Sequence, residues 1–278
     1  MVAPRISHNF AMPAPCHLMV FTDLDGTLID HTTYDWAAAQ PALDALHDMA
    51  AGIVLASSKT AAEMGPLRAK MGVQKWPAIV ENGAGILPPF KMQAPAAEDY
   101  AKVRAALDGV PSDLRQQFRG FGDMTAQDVS DLTGLSPDDA ALAKQRCFSE
   151  PGLWSGAKAD KEAFLAALAD DGITAQQGGR FLTLSLGRNK VDHMRDIIDL
   201  YQPQHTVALG DAPNDIAMLE HADIGVVIAN PARQPLPPLK TEKAGRIIRT
   251  QDAGPVGWNW AILHLIDRFE QSRTPPHG

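Results

Sequence analysis

The chain is poor in cysteine, in long apolar runs and in basic charge, and each shortage excludes a class of protein. Its two cysteines, Cys16 and Cys147, are too few for a disulfide framework and too isolated for a cysteine-based zinc site. No apolar run approaches the roughly 20 residues of a membrane span, and residues 1–15 lack the charged-then-apolar order of a signal peptide. We therefore expect a protein of the reducing cytoplasm with no membrane partner.

The charge balance excludes a further class. With 25 Lys and Arg against 33 Asp and Glu, the formal net charge is −8. Binding to a nucleic-acid backbone needs the opposite sign, so nucleic acid is not an expected partner. The chain also lacks the glycine-rich phosphate loop of nucleotide-binding enzymes and the G-x-S-x-G turn of serine hydrolases.

Short apolar runs recur along the 278 residues, and several end in polar residues. Most are followed by a segment in which apolar residues have helical spacing. This alternation predicts an α/β fold with a doubly wound parallel sheet, covered by helices on both faces. The predicted strands are 18–21, 53–56, 78–80, 207–209, 224–228 and 247–248; the predicted helices are 36–51, 61–71, 189–201, one that ends near 220, and 257–269.

The pattern changes between about 87 and 186, which indicates an inserted domain. Helices are predicted there at 97–107, 125–132 and 161–169, with short strands near 146–148 and 181–186. After the insertion the first pattern resumes. Residues 231–240 contain four prolines and are predicted to form a loop.

Two carboxylates follow the first predicted strand. Asp23 and Asp25 are two positions apart at a strand end, where alternation places residues i and i+2 on one face. One could attack an electrophile while the other moves a proton, or both could share a divalent cation. The alternative is a structural turn, with Gly26 at positive φ and Thr27 capping the next segment of the chain.

A second polar cluster follows the strand at 207–209. Asp211, Asn214 and Asp215 come directly after it, and the carboxyl ends of parallel strands gather around one crevice. So many carboxylates repel one another, and a hard cation with oxygen ligands relieves that repulsion; Mg²⁺ is the cation we expect here. Capping of a helix by Asp211 is the alternative, but it does not account for Asn214 and Asp215.

Three further residues have positions suited to binding an anion. Ser57 and Ser58 lie between a strand and a helix, where hydroxyl and backbone N–H groups favour a phosphate oxygen; plain helix capping is the alternative. Lys190 precedes the strand that carries Asp211. It would supply the local positive charge that an anion site needs in an acidic protein, unless it is an ordinary surface lysine.

These motifs, taken in order, resemble the four-part signature of the haloacid dehalogenase-like phosphatases. The matching segments are Asp23-x-Asp25-Gly-Thr, Ser57, Lys190 and Gly210-Asp211-x-x-Asn214-Asp215. The resemblance implies a catalytic core at 17–88 and 187–270 and a C2-type α+β cap inserted at 89–186. The composition and position of the two ends predict flexible tails at 1–16 and 271–278. The segments at 21–31, 57–60, 81–84, 146–151 and 178–181 are similar to those of the mannosyl-3-phosphoglycerate phosphatases.

The resemblance also implies a role for each motif. Asp23 would be the nucleophile that forms an aspartyl-phosphate, and Asp25 would protonate the leaving alcohol and then activate water. Ser57 would hydrogen-bond the phosphoryl group, and Lys190 would neutralise it. The residues implied for Mg²⁺ are Asp23, Asp25 through its carbonyl, Asp211 and Asp215; those implied for the substrate are Thr27, Ser58, Lys59, Asn82, Arg146, Glu150, Arg180 and Asn214.

The expected activity is therefore Mg²⁺-dependent hydrolysis of a phosphate monoester carried by a small sugar or glycerate. Arg146 and Arg180 are candidates for a clamp on a glycerate carboxylate, because guanidinium groups bind carboxylates in a bidentate manner; surface arginines are the alternative. Mannosyl-3-phosphoglycerate is the first expected substrate. Glucosyl-3-phosphoglycerate, sucrose or trehalose phosphate, and a phosphomutase of the same superfamily are the alternatives.

Overall fold

The computed structural model describes residues 16–94 and 97–273. Its strands are β1 Leu18–Thr22, β2 Gly52–Leu55, β3 Ala78–Val80, β4 Gly85–Leu87, β5 Phe118–Gly120, β6 Ser149–Trp154, β7 Thr174–Gly178, β8 Phe181–Ser185, β9 His205–Gly210, β10 Ile224–Ala229 and β11 Ile247–Ala253. Its helices are α1 Gln40–Asp48, α2 Ala61–Lys70, α3 Glu98–Gly109, α4 Ser112–Arg115, α5 Ala126–Thr133, α6 Pro137–Ala143, α7 Lys158–Ala169, α8 Lys190–Tyr201, α9 Ile216–His221 and α10 Gly254–Arg273. Every helix among these is too short or too polar to cross a membrane.

The largest sheet has five strands in the order β11, β10, β9, β1, β2. β1 pairs with β9, β9 with β10, and β10 with β11, and all three pairings are parallel. β1 is buried along its whole length, as expected of a strand in a sheet with both faces covered. The predicted fold class, α/β with a parallel central sheet and an inserted α+β part, is confirmed.

The described chain groups into two compact units. The first combines the residues up to Ile53 with those from Met194 onward, and the second runs from Val54 to His193. In the first unit, α10 buries Trp258 completely, and the indole N–H of Trp258 donates to the Thr22 hydroxyl at 3.0 Å. This bond ties the last helix to the end of β1, immediately before Asp23.

The second unit contains a four-stranded antiparallel sheet in the order β5, β6, β8, β7. One face packs on α3 and α7 through an apolar cluster that includes Val103, Phe118, Phe164, Leu182 and Leu184. A separate apolar cluster, built around Phe121, Met124 and Val129, gathers α5 and α6 against another part of this sheet.

Several predicted elements differ from the structure in their pairing or in their boundaries. The strand expected at 78–80 forms, but it pairs antiparallel with β4, and a parallel bridge between Ala56 and Ile79 connects it to the segment after β2. The strand expected near 146–148 begins at Ser149. The helix expected at 36–51 is a 3-10 turn followed by α1, and it ends at Asp48. Gly52 is the first residue of β2, and a Cβ there would meet the Met19 side chain at 2.8 Å.

Other expectations need smaller corrections. β11 extends to Ala253 and α10 to Arg273, each longer than predicted. β5, β7 and α6 were not predicted, because their short segments carry few apolar residues with regular spacing. The proline-rich segment 231–240 contains no helix or strand, as expected. Of the predicted tails at 1–16 and 271–278, residues 1–15 and 274–278 lie outside the described part of the chain, whereas Cys16 is buried and residues 271–273 form the end of α10.

Candidate active site

Asp23 follows β1 directly and is held by its backbone. Its N–H donates to the Leu209 carbonyl of β9 at 2.9 Å, and its carbonyl accepts the Thr22 hydroxyl at 2.7 Å. The side chain is buried, with 8% exposure. A turn then reverses the chain through Gly26, whose φ of +85° favours glycine. Asp25, on this turn, is partly exposed.

Asp211 and Asp215 follow β9, the strand next to β1. The Asp215 carboxylate accepts the N–H groups of Asp211 at 3.2 Å and Ala212 at 3.1 Å. Asp215 therefore organises the turn itself, and Asp211 does not cap the helix. A Cβ on Gly210 would lie 2.5 Å from the Asp215 Cβ, so this packing requires glycine.

Two neutral groups orient the Asp211 carboxylate. The Thr27 hydroxyl donates to Oδ1 at 3.0 Å, and the Asn230 amide donates to Oδ2 at 2.6 Å. Arg233 adds a cation, with its Nε 3.8 Å from the same Oδ2. Thr27 thus contacts a carboxylate in place of capping the segment after the turn.

The three carboxylates of Asp23, Asp211 and Asp215 offer oxygen atoms that all lie within 4.8 Å of one another, and all three residues are buried. Carboxylate oxygens are the ligands that Mg²⁺ prefers in proteins. The chemistry of this donor set therefore fits Mg²⁺. The structure groups three of the four predicted metal residues by their side chains; for Asp25 the expected ligand is the carbonyl.

The second unit brings Ser57 and Asn82 together. Ser57 follows β2, and its carbonyl accepts the Asn82 N–H at 2.8 Å. Its hydroxyl accepts the Lys59 N–H at 3.2 Å. The N-cap of α2 is Thr60, which forms a capping box with Glu63, so Ser57 and Ser58 do not cap that helix. The capping alternative for these two serines is therefore wrong.

Lys190 packs against the same turn. A Cβ on Gly83 would lie 2.1 Å from the Lys190 backbone nitrogen, which shows how closely the start of α8 approaches the turn. Lys190 is 1% exposed and is therefore not a surface lysine. Ser57, Asn82 and Lys190 are thus neighbours within the second unit.

Arg146 is also buried, and its contacts are internal. Its Nε lies 3.3 Å from the Glu81 carboxylate, and its other nitrogens donate to the Ser149 hydroxyl at 2.8 Å and the Ser58 carbonyl at 3.4 Å. This network connects the segment after β2 with the start of β6. The surface alternative for Arg146 is therefore wrong.

Glu150 and Arg180 lie in two other places. Glu150 is fully buried against α3, and its carboxylate accepts the Gly122 N–H at 2.7 Å and a hydrogen bond from Tyr100. Burial raises the pKa of Glu150, although the Tyr100 and Gly122 hydrogen bonds oppose the rise. Arg180 is exposed, donates to the Leu132 carbonyl and lies over the Phe181 ring. Asn214 lies in the turn between Asp211 and Asp215.

Sequence reasoning missed Glu81 and Asn230 as members of these networks. The Glu81 carboxylate accepts the N–H groups of Cys147, Phe148 and Ser149 at 2.7–3.2 Å. Asn230 follows β10 as Asp211 follows β9, so its position at the carboxyl end of a predicted strand was an available signal.

The sequence matches the family model of the haloacid dehalogenase-like hydrolases over residues 20–108 and 155–236. This is more than half of the chain, which therefore belongs to that family. The expected family is confirmed, and so is the expectation that the protein is an enzyme, as a hydrolase of this family.

Solved structures share the fold at low identity. A sucrose-phosphatase from Synechocystis sp. PCC6803 is 17% identical with a TM-score of 0.57, over 92% of this chain and 98% of that one. A phosphatase of the haloalkanoate superfamily from Bacteroides thetaiotaomicron is 19% identical with a TM-score of 0.61, over 95% and 97%. A subclass IIB sugar phosphatase is 18% identical with a TM-score of 0.58, over 89% and 98%.

Proposed function

We propose that this protein is a Mg²⁺-dependent phosphate-monoester hydrolase in which Asp23 is the nucleophile. The observation that carries the proposal is the group of Asp23, Asp211 and Asp215 at the carboxyl ends of the adjacent strands β1 and β9. Their oxygens would hold the ion, which, when bound, supplies positive charge beside the phosphoryl group. The rest of the reaction belongs to the side chains of the protein.

In the first step a carboxylate oxygen of Asp23 forms a bond to phosphorus while the bond from phosphorus to the leaving alcohol breaks. Asp25 gives its proton to the departing oxygen. In the second step Asp25 takes a proton from water, the water oxygen bonds to phosphorus, and the bond to Asp23 breaks. The burial of Asp23 and the partial exposure of Asp25 suit a fixed nucleophile and a group that exchanges protons.

Ser57 and Lys190 are proposed to contact the transferred phosphoryl group. Their positions within the second unit support these contacts, because both residues lie against the same turn: Ser57 at Asn82 and Lys190 at Gly83. The Lys190 ammonium would offset the negative charge of the phosphoryl oxygens, and the Ser57 hydroxyl would donate to one of them. Thr27, Ser58, Lys59 and Asn214 remain proposed substrate-binding residues.

The proposed substrate class is a phosphorylated sugar or sugar glycerate, with mannosyl-3-phosphoglycerate as the first compound to test. Support comes from the segments similar to the mannosyl-3-phosphoglycerate phosphatases and from the sugar phosphatases that share the fold. Arg146, Glu150 and Arg180 remain the proposed cap residues for this substrate. The buried contacts of Arg146 and Glu150 give both a structural role as well.

The test is phosphate release from mannosyl-3-phosphoglycerate, glucosyl-3-phosphoglycerate, sucrose 6-phosphate and other sugar phosphates, with Mg²⁺ or with EDTA. We expect Asp23→Asn to abolish turnover on every ester without unfolding the protein. Asp48→Asn, at the exposed end of α1, is the matched control and should retain activity. Activity that survives in Asp23→Asn would overturn the assignment of the nucleophile.

The same assay separates the substrates. A large preference in kcat/KM for the mannosyl ester would support mannosyl-3-phosphoglycerate as the substrate. Broad activity that still depends on Asp23 would support the phosphatase activity but would reject mannosyl-3-phosphoglycerate as the specific substrate. Product analysis in the presence of a sugar bisphosphate would reveal a phosphomutase, because the phosphoryl group would then appear on sugar and not as free phosphate.

A further inference from the structure

Part of one face of the four-stranded sheet in the second unit carries hydroxyl and amide side chains, while another part of that face, at Leu153 and Phe181, packs against α5 and α6. Phe118, Leu182 and Leu184 belong to the apolar cluster under α3 and α7, so the alternate residues of β8 point to the opposite face. Direct pairing across the sheet places Gln176 beside Thr183, and Thr174 beside Ser185, on that opposite face. Gln176 and Thr174 are exposed, and Thr183 and Ser185 are half-buried.

A strained turn places an amide against this face. Glu81, Asn82 and Gly83 have φ values of 51°, 60° and 90°, so three consecutive residues are left-handed and two of them are not glycine. Each non-glycine residue in this region costs about 1–3 kcal/mol, which contacts with the surrounding structure must offset. The Asn82 amide donates to the Gln176 carbonyl oxygen at 3.0 Å.

The Glu81 carboxylate holds this turn. It accepts three consecutive backbone N–H groups and the Ser149 hydroxyl, all between 2.7 and 3.2 Å, and it pairs with Arg146. Such a buried and fully bonded anchor offsets the strain at Glu81 and Asn82. The Glu81 hydrogen bonds therefore hold the backbone of the turn in place, and with it the position of the Asn82 side chain.

The turn also connects this face to the proposed phosphoryl-binding residues. The backbone N–H of Asn82 donates to the Ser57 carbonyl, and its side-chain amide donates to Gln176. Asn82 therefore links Ser57 to this face of the sheet. The organic part of an ester whose phosphoryl group is bound at Ser57 must lie within a few ångströms of Ser57. The Gln176 amide, bonded to Asn82, and the Thr183 hydroxyl, paired with it across the sheet, are the groups from which we infer contacts to the sugar.

We propose that Gln176 and Thr183, with Asn82 as their link to the phosphoryl site, bind hydroxyl groups of the substrate's sugar and determine which sugar is accepted. This inference rests on the proposed function. The bond from Asn82 engages the Gln176 amide oxygen, so the Gln176 NH2 group is the part that would donate to the substrate. The Thr183 hydroxyl can donate or accept. Amide and hydroxyl groups together match the mixed donors and acceptors of a sugar, whereas an apolar substrate would leave them unpaired.

The experiment measures kcat/KM for glucose 6-phosphate, mannose 6-phosphate and mannosyl-3-phosphoglycerate, each divided by kcat/KM for p-nitrophenyl phosphate, which has no sugar. We expect Gln176→Leu to lower this ratio by about tenfold for the best sugar ester, mainly through KM, because hydrogen bonds to hydroxyl groups are lost. Thr183→Val should lower the same ratio independently.

Gln177→Ala is the matched control. Gln177 is the next residue of β7, but its amide contacts the Gly179 and Phe181 carbonyls and Lys161 of α7, on the other side of the sheet. This variant should leave the ratio unchanged. Thermal unfolding of all three variants checks that each is folded.

The outcomes separate the two proposals. If the wild-type protein shows no Asp23-dependent hydrolysis of any ester, the proposed function fails. If hydrolysis depends on Asp23 but the ratio is the same in Gln176→Leu, Thr183→Val and wild type, the role of this face is overturned. Equal losses on sugar esters and p-nitrophenyl phosphate would also overturn it, since they would indicate a structural effect.

Discussion

The Thr27 hydroxyl donates to the Asp211 carboxylate at 3.0 Å, across 184 positions of sequence. Thr27 follows β1 and Asp211 follows β9, and the two strands pair in parallel. Thr27 is fully buried, so its hydroxyl has no water to replace this acceptor. The bond fixes one of the three carboxylates proposed to hold the metal.

The first prediction concerns this bond. Thr27→Val keeps the shape of the side chain and removes the hydroxyl, which leaves Asp211 without one of its orienting donors. We expect the Mg²⁺ concentration for half-maximal activity to rise by about tenfold, the usual effect of losing a group that orients a metal ligand. A magnesium titration of the activity measures it. Thr32→Val, at an exposed position of the same loop, is the control, and equal titrations of both variants would contradict the prediction.

The second prediction concerns Gly83. An alanine there would have to adopt a φ of +90° and would place its Cβ 2.1 Å from the Lys190 nitrogen. We expect Gly83→Ala to destabilise the protein by at least about 3 kcal/mol and to raise KM, because α8 must move at its first residue. Urea unfolding measures the first effect. Gly109→Ala, at the end of α3 where a Cβ would meet nothing within 4 Å, should be neutral or slightly stabilising.

The third prediction concerns the buried pair of Glu81 and Arg146. Glu81→Gln removes the negative charge and leaves the Arg146 guanidinium buried beside a neutral amide. We expect a loss of about 3 kcal/mol of stability, as for other buried pairs that lose one partner. Thermal unfolding measures it, with the exposed Glu98→Gln at the start of α3 as control. An unchanged unfolding temperature in Glu81→Gln would show that the pair contributes nothing.

The fourth prediction concerns pH. Hydrogen bonds from the Arg249 guanidinium and the Leu239 N–H lower the pKa of Glu242 to about 2, below the ordinary 4.5. A lowered pKa in the folded state means stability that is present above pH 4.5 and is lost as the pH falls toward 2. Glu242→Gln should therefore be less stable than wild type at pH 7, and the difference should shrink at about pH 3. Chemical unfolding of both proteins at both pH values measures this difference.

Much of the core was predictable because its signals are local. The apolar runs that became β1, β2, β9 and β10 are continuous, and each is long enough to identify a buried strand. Asp23 and Asp211 come directly after two of these strands. Their proximity followed from a general property of parallel sheets, whose strand ends share one edge.

The inserted segment was less predictable. β5 and β7 are short and carry glycine, glutamine or arginine at positions that a local pattern assigns to loop. They form strands because β6 and β8 have backbone N–H and C=O groups that need hydrogen-bond partners, and pairing with β5 and β7 provides them. Local propensity contains no information about such partners.

By itself, the sequence determined the parallel α/β core, the family of the enzyme and the order of its acidic and basic motifs, because these depend on residue type and short spacing. Only the tertiary structure decided that Glu81 anchors the segment around Ser149, that Asn230 orients Asp211, and that Glu150 is buried against α3. The first two of these contacts join residues 68 and 19 positions apart. These contacts form because a charged or amide group that folding removes from water needs a hydrogen-bond partner. Which group becomes that partner depends on how the folded chain packs.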